Sequence, residues 1–188
     1  MENLRQELLS LLIKRSYEKR RVILTSGKES DFYIDGKQTT LDPRGAYLVG
    51  KLFHESLKGS QIDAVGGPAD GAIPIVTAIA LVSQLEGNPL PAFFVRKEQK
   101  KHGKQLWIEG RDDLPQGSKV AIIEDVVTTG GSIMKAITQT QAGGFKVVKV
   151  LAIVDREEGG KENLAQEGFQ LESIYTKREI EQATSKGR

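Results

Sequence analysis

The stretch Lys119 to Ser132, KVAIIEDVVTTGGS, places two acids and a glycine-containing, hydroxyl-rich turn within fourteen residues. Glu124 and Asp125 follow the apolar run Val120, Ala121, Ile122 and Ile123, so they sit where a buried strand ends. The carboxyl ends of strands are where open α/β sheets bind ligands, and paired carboxylates there can accept hydrogen bonds from sugar hydroxyls or act on a nearby metal ion. In Thr128, Thr129, Gly130, Gly131 and Ser132, the glycines allow backbone N–H groups to approach an anion and the hydroxyls add donors. Ile133, Ala136 and Ile137 then mark a helix whose positive end faces the same anion. The chemistry this suggests is the binding of a phosphorylated sugar. A simple strand–helix connection needs one capping residue, and adjacent acids repel each other and any anion, so stability alone does not account for the pattern. The turn lacks the lysine of GxxxxGK[ST] and is not a GxGxxG fingerprint.

A second cluster is cationic. Arg96, Lys97, Lys100, Lys101, His102 and Lys104 fall within nine residues, in a segment without helical or strand periodicity. A charge run is usually a solvated face, but this one has no regular element to belong to. Such a loop suits a diphosphate leaving group, whose developing charge it can neutralise while excluding water from a carbocation-like sugar. His102 can donate a proton or hydrogen bond, since imidazole titrates near neutral pH.

The elements that must position these residues follow from periodicity. Leu4, Leu8, Leu11 and Leu12 predict an amphipathic helix over about 2–19, and 21–35 reads as two strands joined by a turn at SGKES. Asp42-Pro43 starts a helix through about Leu57, Ile62 to Gly67 is a strand, and Gly71 to Leu85 is a helix. Ala92 to Arg96 is a strand, and 97–111 is a long mobile loop. After the acid-and-glycine segment come a strand at Val147 to Val154, a helix at Glu162 to Gln166 and a strand at Phe169 to Tyr175, with the tail beyond Thr184 frayed. Alternating strands and helices imply an α/β fold with a mainly parallel sheet.

The chain of 188 residues suits one α/β domain spanning 1–188. It has 38% hydrophobic and 28% charged residues, as soluble proteins do, and no apolar run long enough to span a membrane. The N-terminus lacks the layout of a signal peptide. With no cysteine there is no disulfide, thiolate nucleophile or cysteine zinc site, which fits a cytoplasmic enzyme. Near-balance of 27 basic and 25 acidic residues gives no reason to expect nucleic acid as a partner.

The stretch EDVVTTGGS resembles the diphosphate-sugar signature of the type I phosphoribosyltransferases. RKEQKKHGK resembles the catalytic loop of the orotate phosphoribosyltransferases, and SGKESDFYID, GGPADGAIP and the strand end Val154-Asp155-Arg156-Glu157 resemble that family in the same order. The resemblance implies a fold with a small N-terminal hood over about 1–40 and a flexible catalytic loop at 97–111. It implies transfer of phosphoribosyl from 5-phosphoribosyl-1-diphosphate to orotate with Mg²⁺, in pyrimidine biosynthesis. It also implies a homodimer in which loop residues act in trans.

Carried over by motif, Lys100, His102 and Asp125 are the catalytic residues. Arg96, Lys97, Lys100 and His102 bind the diphosphate end, and Glu124 and Asp125 hold the ribose hydroxyls. Thr128, Thr129, Gly130, Gly131 and Ser132 hold the 5′-phosphate, and Val126 and Val127 are substrate-binding. Thr128 and Arg156 contact orotate, where a guanidinium fork matches a carboxylate, and Phe32 and Tyr33 lie near the base. No residue is assigned as a direct metal ligand. Gly66 to Gly71 resembles the diphosphate-binding loop, which in relatives includes a non-proline cis peptide. Two positions depart from the pattern of some members, Gly71 and Thr25 standing where those carry lysine. His54 reads as structural, and Trp107 as packing at the loop's end. A phosphoribosyltransferase for another base and a non-catalytic sensor of 5-phosphoribosyl-1-diphosphate are the alternatives; Arg156 and RKEQKKHGK favour orotate over the first, and the absence of an added domain or basic face disfavours the second.

Overall fold

In a computed structural model that describes residues 1–23, 29–99, 107–110 and 113–186, the chain runs through α1 (Glu2–Arg15), β1 (Tyr17–Ile23), β2 (Glu29–Ile34), α2 (Lys37–Thr40), α3 (Pro43–Leu57), β3 (Ala64–Gly66) and α4 (Ala72–Leu85). It continues with β4 (Phe94–Val95), β5 (Ile108–Glu109), β6 (Lys119–Val127), α5 (Gly131–Ala142), β7 (Lys146–Asp155), α6 (Gly160–Gln166), β8 (Leu171–Thr176) and α7 (Lys177–Lys186).

The strands richest in apolar residues lie at the centre of the main sheet, whose order is β3-β6-β7-β8 with every neighbouring pair parallel. Their alternation sorts two cores. Ala121, Ile123, Leu151 and Ile153 face a cluster with residues of α1, α3 and α4, while Val120, Ile122, Val150 and Ala152 face one with Ile133, Ala136 and Ile137 of α5. Each fully buried aliphatic side chain contributes about 1.5–3 kcal/mol. Ala92 and Val95 continue the sheet beyond β3 through parallel bridges to Val65 and Pro68. β4 pairs antiparallel with β5, so the far end of the expected irregular segment 97–111 is instead a strand, drawn in by the burial of Ile108 against Phe93 and Phe145.

Local signals explain most boundaries. Asp42 caps α3 as predicted, its Oδ1 accepting from the N–H groups of Arg44 and Gly45 at 3.0 Å each. The N-terminal helix stops at Arg15 rather than continuing to 19. The buried Ser16 hydroxyl meets that of Thr39 at 2.7 Å, and Tyr17 pairs with Ile34 to open the antiparallel β1–β2 hood. Cross-strand pairing thus overrides helical periodicity. The tail forms α7 through Lys186 instead of fraying after Thr184. Thr176 and Glu179 make a capping box, with Glu179 Oε2 accepting from the Thr176 N–H at 2.8 Å and Thr176 Oγ1 from the Glu179 N–H at 3.3 Å. Ile180 is buried and anchors the helix. Among the described residues, no helix is long and apolar enough to cross a membrane.

Candidate active site

β6 delivers both acids to the carboxyl edge of the sheet. Glu124 is buried at 6% exposure and Asp125 is half-buried. Burial raises the Glu124 carboxyl above its ordinary value, and the charge of Asp125 pushes in the same direction. Asp125 Oδ1 accepts from the Val126 N–H at 2.8 Å, and Glu124 Oε1 from the Asp125 N–H at 3.2 Å.

Two glycines make room for Asp125. A Cβ at Gly36 would lie 2.8 Å from its side chain, and one at Gly71 only 2.6 Å from Oδ1. Glycine at 71 therefore fits this backbone, because a Cβ there would crowd the Asp125 carboxylate.

The turn after β6 is fixed from two sides. Gly130 takes the left-handed conformation at φ 84° and precedes α5. Asn163 of α6 donates from Nδ2 to the Thr129 carbonyl at 3.0 Å. Gly160 packs so closely that a Cβ there would sit 2.7 Å from the Thr128 carbonyl. Glu124, Val126, Val127, Thr128, Thr129, Gly130, Gly131 and Ser132 line one cavity of about 310 Å³ at the α5 N-terminus. Its backbone N–H groups and hydroxyls suit an anion of phosphate size.

Ser132 also lines a second cavity of about 200 Å³ with Pro68, Ala69, Arg96, Lys97 and Lys135. The peptide between Ala69 and Asp70 is cis. Lys97 Nζ pairs with Asp70 Oδ2 at 2.5 Å, and Arg96 Nη1 with Glu109 Oε1 at 3.1 Å. The two cavities sit side by side, one hydroxyl-rich and one cationic.

Arg156 closes the other flank. Its N–H donates to the Val127 carbonyl at 2.9 Å, holding the ends of β6 and β7 together. The guanidinium, at 6% exposure, donates from Nη2 to the Phe32 carbonyl at 3.0 Å, and from Nη2 and Nε to Glu158 Oε1 at 3.0 and 3.2 Å. Phe32 is fully buried with its ring 5.5 Å from that guanidinium, whereas Tyr33 points to the opposite side of β2, under Arg20 at 3.8 Å. The structure thus brings Glu124, Asp125 and Val126 to Ser132 together with Arg96, Lys97, Arg156 and Phe32. Lys100, His102 and Thr25 lie outside the described residues.

Several neighbours carry weak sequence signals. Lys37 pairs with Asp35 at 2.7 Å, and its ammonium is stabilised first by that bond and also by the charge of Asp125. An Asp-Gly-Lys following a strand is its only cue. Glu158 and Lys135 read as surface charges. His54 is buried with Nδ1 3.1 Å from Glu86, away from the site, where Glu55 and Glu86 already pair with Lys51 and Lys58.

A parallel sheet with paired acids and a phosphate-sized turn at its carboxyl edge defines a phosphoribosyltransferase, and residues 38–183 match the family model for the phosphoribosyl transferase domain. The orotate phosphoribosyltransferase of Nostoc sp. is 44% identical over 182 residues, 97% of this chain and 87% of that protein. That of Sorangium cellulosum is 47% identical over 177 residues, covering 94% and 92%. The crystal structure of Mycobacterium tuberculosis orotate phosphoribosyltransferase in complex with 5-phospho-α-D-ribosyl 1-diphosphate superposes with a TM-score of 0.78 at 34% identity, covering 94% of this chain and 98% of that one. The chain belongs to the orotate phosphoribosyltransferase family.

Proposed function

We propose that the chain transfers phosphoribosyl from 5-phosphoribosyl-1-diphosphate to orotate, forming orotidine 5′-monophosphate and diphosphate in pyrimidine biosynthesis. The observation that carries this reading is the placement of Arg156 beside the phosphate turn, with its guanidinium directed to the hood backbone at Phe32. A buried guanidinium at that point suits a planar acceptor bearing a carboxylate, which orotate has and adenine, hypoxanthine and uracil lack.

The two cavities support the roles of the described residues. Val126 to Ser132 cradle the 5′-phosphate, Glu124 and Asp125 hold the ribose hydroxyls, and Arg96 and Lys97 face the diphosphate end, joined by Lys100 and His102. The C1–O bond to diphosphate breaks with its electron pair leaving on diphosphate, and orotate N1 forms the new bond to C1 as its N–H proton is lost to the departing diphosphate. Positive charge grows on the ribose beside two carboxylates while negative charge grows on the leaving group beside cations, so the catalysis is chiefly electrostatic. Phe32 and Tyr33 belong to the strand that roofs the base.

Mg²⁺ fits this donor set. Burial first, and then the charge of adjacent Asp125, raises the Glu124 pKa, and a divalent ion beside the two acids offsets their repulsion. One or two carboxylates with phosphate oxygens and waters is the usual environment of Mg²⁺. When bound, it offsets charge on the departing diphosphate.

The chain acts as a homodimer with Lys100 and His102 serving the neighbouring site. Support comes from the α2 end and from α3 and α4, where Leu41, Tyr47, Leu81 and Leu85 are 70%, 44%, 61% and 77% exposed around an apolar hollow of about 510 Å³. Exposed apolar surface of this extent marks an association face. A cytoplasmic setting, expected from the cysteine-free composition, belongs to the same reading.

The test is product analysis after incubation with the donor, Mg²⁺ and one base at a time. Orotidine 5′-monophosphate from orotate alone supports the proposal; a nucleotide from adenine, hypoxanthine or uracil and none from orotate refutes it.

A further inference from the structure

Lys135 lies three residues after Ser132 on α5, so it projects from the same side of the helix one turn beyond the phosphate cavity. Its ammonium donates to the Lys97 carbonyl at 2.9 Å and lies 5.1 Å from the centre of the Trp107 ring. These contacts belong to the two ends of one chain excursion. Lys97 follows β4, Trp107 precedes β5, and the Arg96 N–H donates to the Trp107 carbonyl at 2.8 Å. One side chain of the phosphate-binding helix therefore ties together both stems of the segment that supplies Arg96 and Lys97. A lysine ammonium near a half-buried indole contributes about 0.5–2 kcal/mol, a modest tie between helix and stem.

We propose that Lys135 is a positioning residue for the transfer reaction: it couples the turn that holds the 5′-phosphate to the stem that presents Arg96 and Lys97 to the leaving group. The inference rests on the assignment of the phosphoribosyl donor to the two adjoining cavities. Its physical route is short. An anion held by Gly131 and Ser132 fixes the first turn of α5, and Lys135 hands that order to the Lys97 carbonyl and the Trp107 ring.

Trp107 is the only tryptophan in the chain, so its fluorescence reports on this contact without labelling. The experiment compares the parent with Lys135→Met, which keeps the apolar stem without the charge, and with Lys135→Arg, which keeps the charge. Binding of 5-phosphoribosyl-1-diphosphate is followed first by the rise in Tm. The Met variant is expected to keep that rise, to lose the donor-dependent change in Trp107 emission, and to show kcat lowered about tenfold with KM for the donor within about threefold. The Arg variant is expected to recover most of kcat and of the emission change. Parent-like kcat, or a parent-like emission response, in Lys135→Met overturns the inference while a retained Tm rise leaves the donor assignment standing. Absence of any donor-induced Tm rise in the parent overturns both.

Discussion

The guanidinium of Arg156 donates to the backbone carbonyl of Phe32 at 3.0 Å, joining the carboxyl end of the sheet to the hood strand across 124 positions of sequence. The same guanidinium holds Glu158 Oε1 at 3.0 and 3.2 Å, so it reaches the site already oriented. Arg156→Lys keeps a positive charge but loses the planar fork. KM for orotate is expected to rise about tenfold to hundredfold, the loss of a charge-assisted hydrogen bond, while KM for the donor changes little. Steady-state kinetics with each substrate varied in turn checks the split.

The raised pKa of Glu124 makes a stability prediction. As pH rises, the unfolded chain releases this proton first, near the ordinary 4.5, while the folded chain keeps it to higher pH. Over that window the folded state binds more protons, so this group's contribution to stability falls as pH increases. Glu124→Gln removes the penalty. Its Tm should exceed the parent's at pH 8, with the difference shrinking as the pH is lowered toward 4.5. An equal difference at all pH values would mean that Glu124 is not desolvated by the fold.

A side chain at Gly71 is expected to displace the Asp125 carboxylate. The 2.6 Å separation between its would-be Cβ and Asp125 Oδ1 forces the carboxylate to move. Gly71→Ala should lower kcat/KM about tenfold or more through a displaced ribose contact, with Gly36→Ala acting similarly from the other side. Gly71→Lys should impair this chain as well, because the obstacle is the Cβ.

Lys100→Ala should depress kcat far more than binding of the donor, as expected of a group that acts on charge developed in the transition state. Mixing it with the equally inactive Asp125→Asn should regain activity if the loop serves the partner's site. Statistical assembly leaves mixed dimers with one intact site, so about a quarter of parental activity is expected per mixed chain pool. No recovery after verified exchange of subunits would place Lys100 in its own chain's site.

Legibility in the sequence tracked distance along the chain. Val120 to Ser132 could be read as strand, acids and phosphate turn because all of its determinants are local, and the parallel sheet followed from the alternating elements. The Arg156–Phe32 contact could not be read, since only the packing of β1 and β2 over the sheet edge brings the two together. The crowding of Gly36 and Gly71 against Asp125 could not be read either, since it depends on three segments meeting in the fold. Nothing local in the sequence singles out Lys135, because its contacts are with Lys97 and Trp107, distant along the chain. The Thr176/Glu179 capping box was in plain view, and it sets where α7 begins.

The most direct measurement is the orotate absorbance of a solution of the protein with Mg²⁺ as 5-phosphoribosyl-1-diphosphate is added. A fall in absorbance that requires the donor, and that Asp125→Asn and Lys100→Ala each largely abolish, is the predicted result. Unchanged orotate absorbance with a folded, donor-binding protein would contradict it.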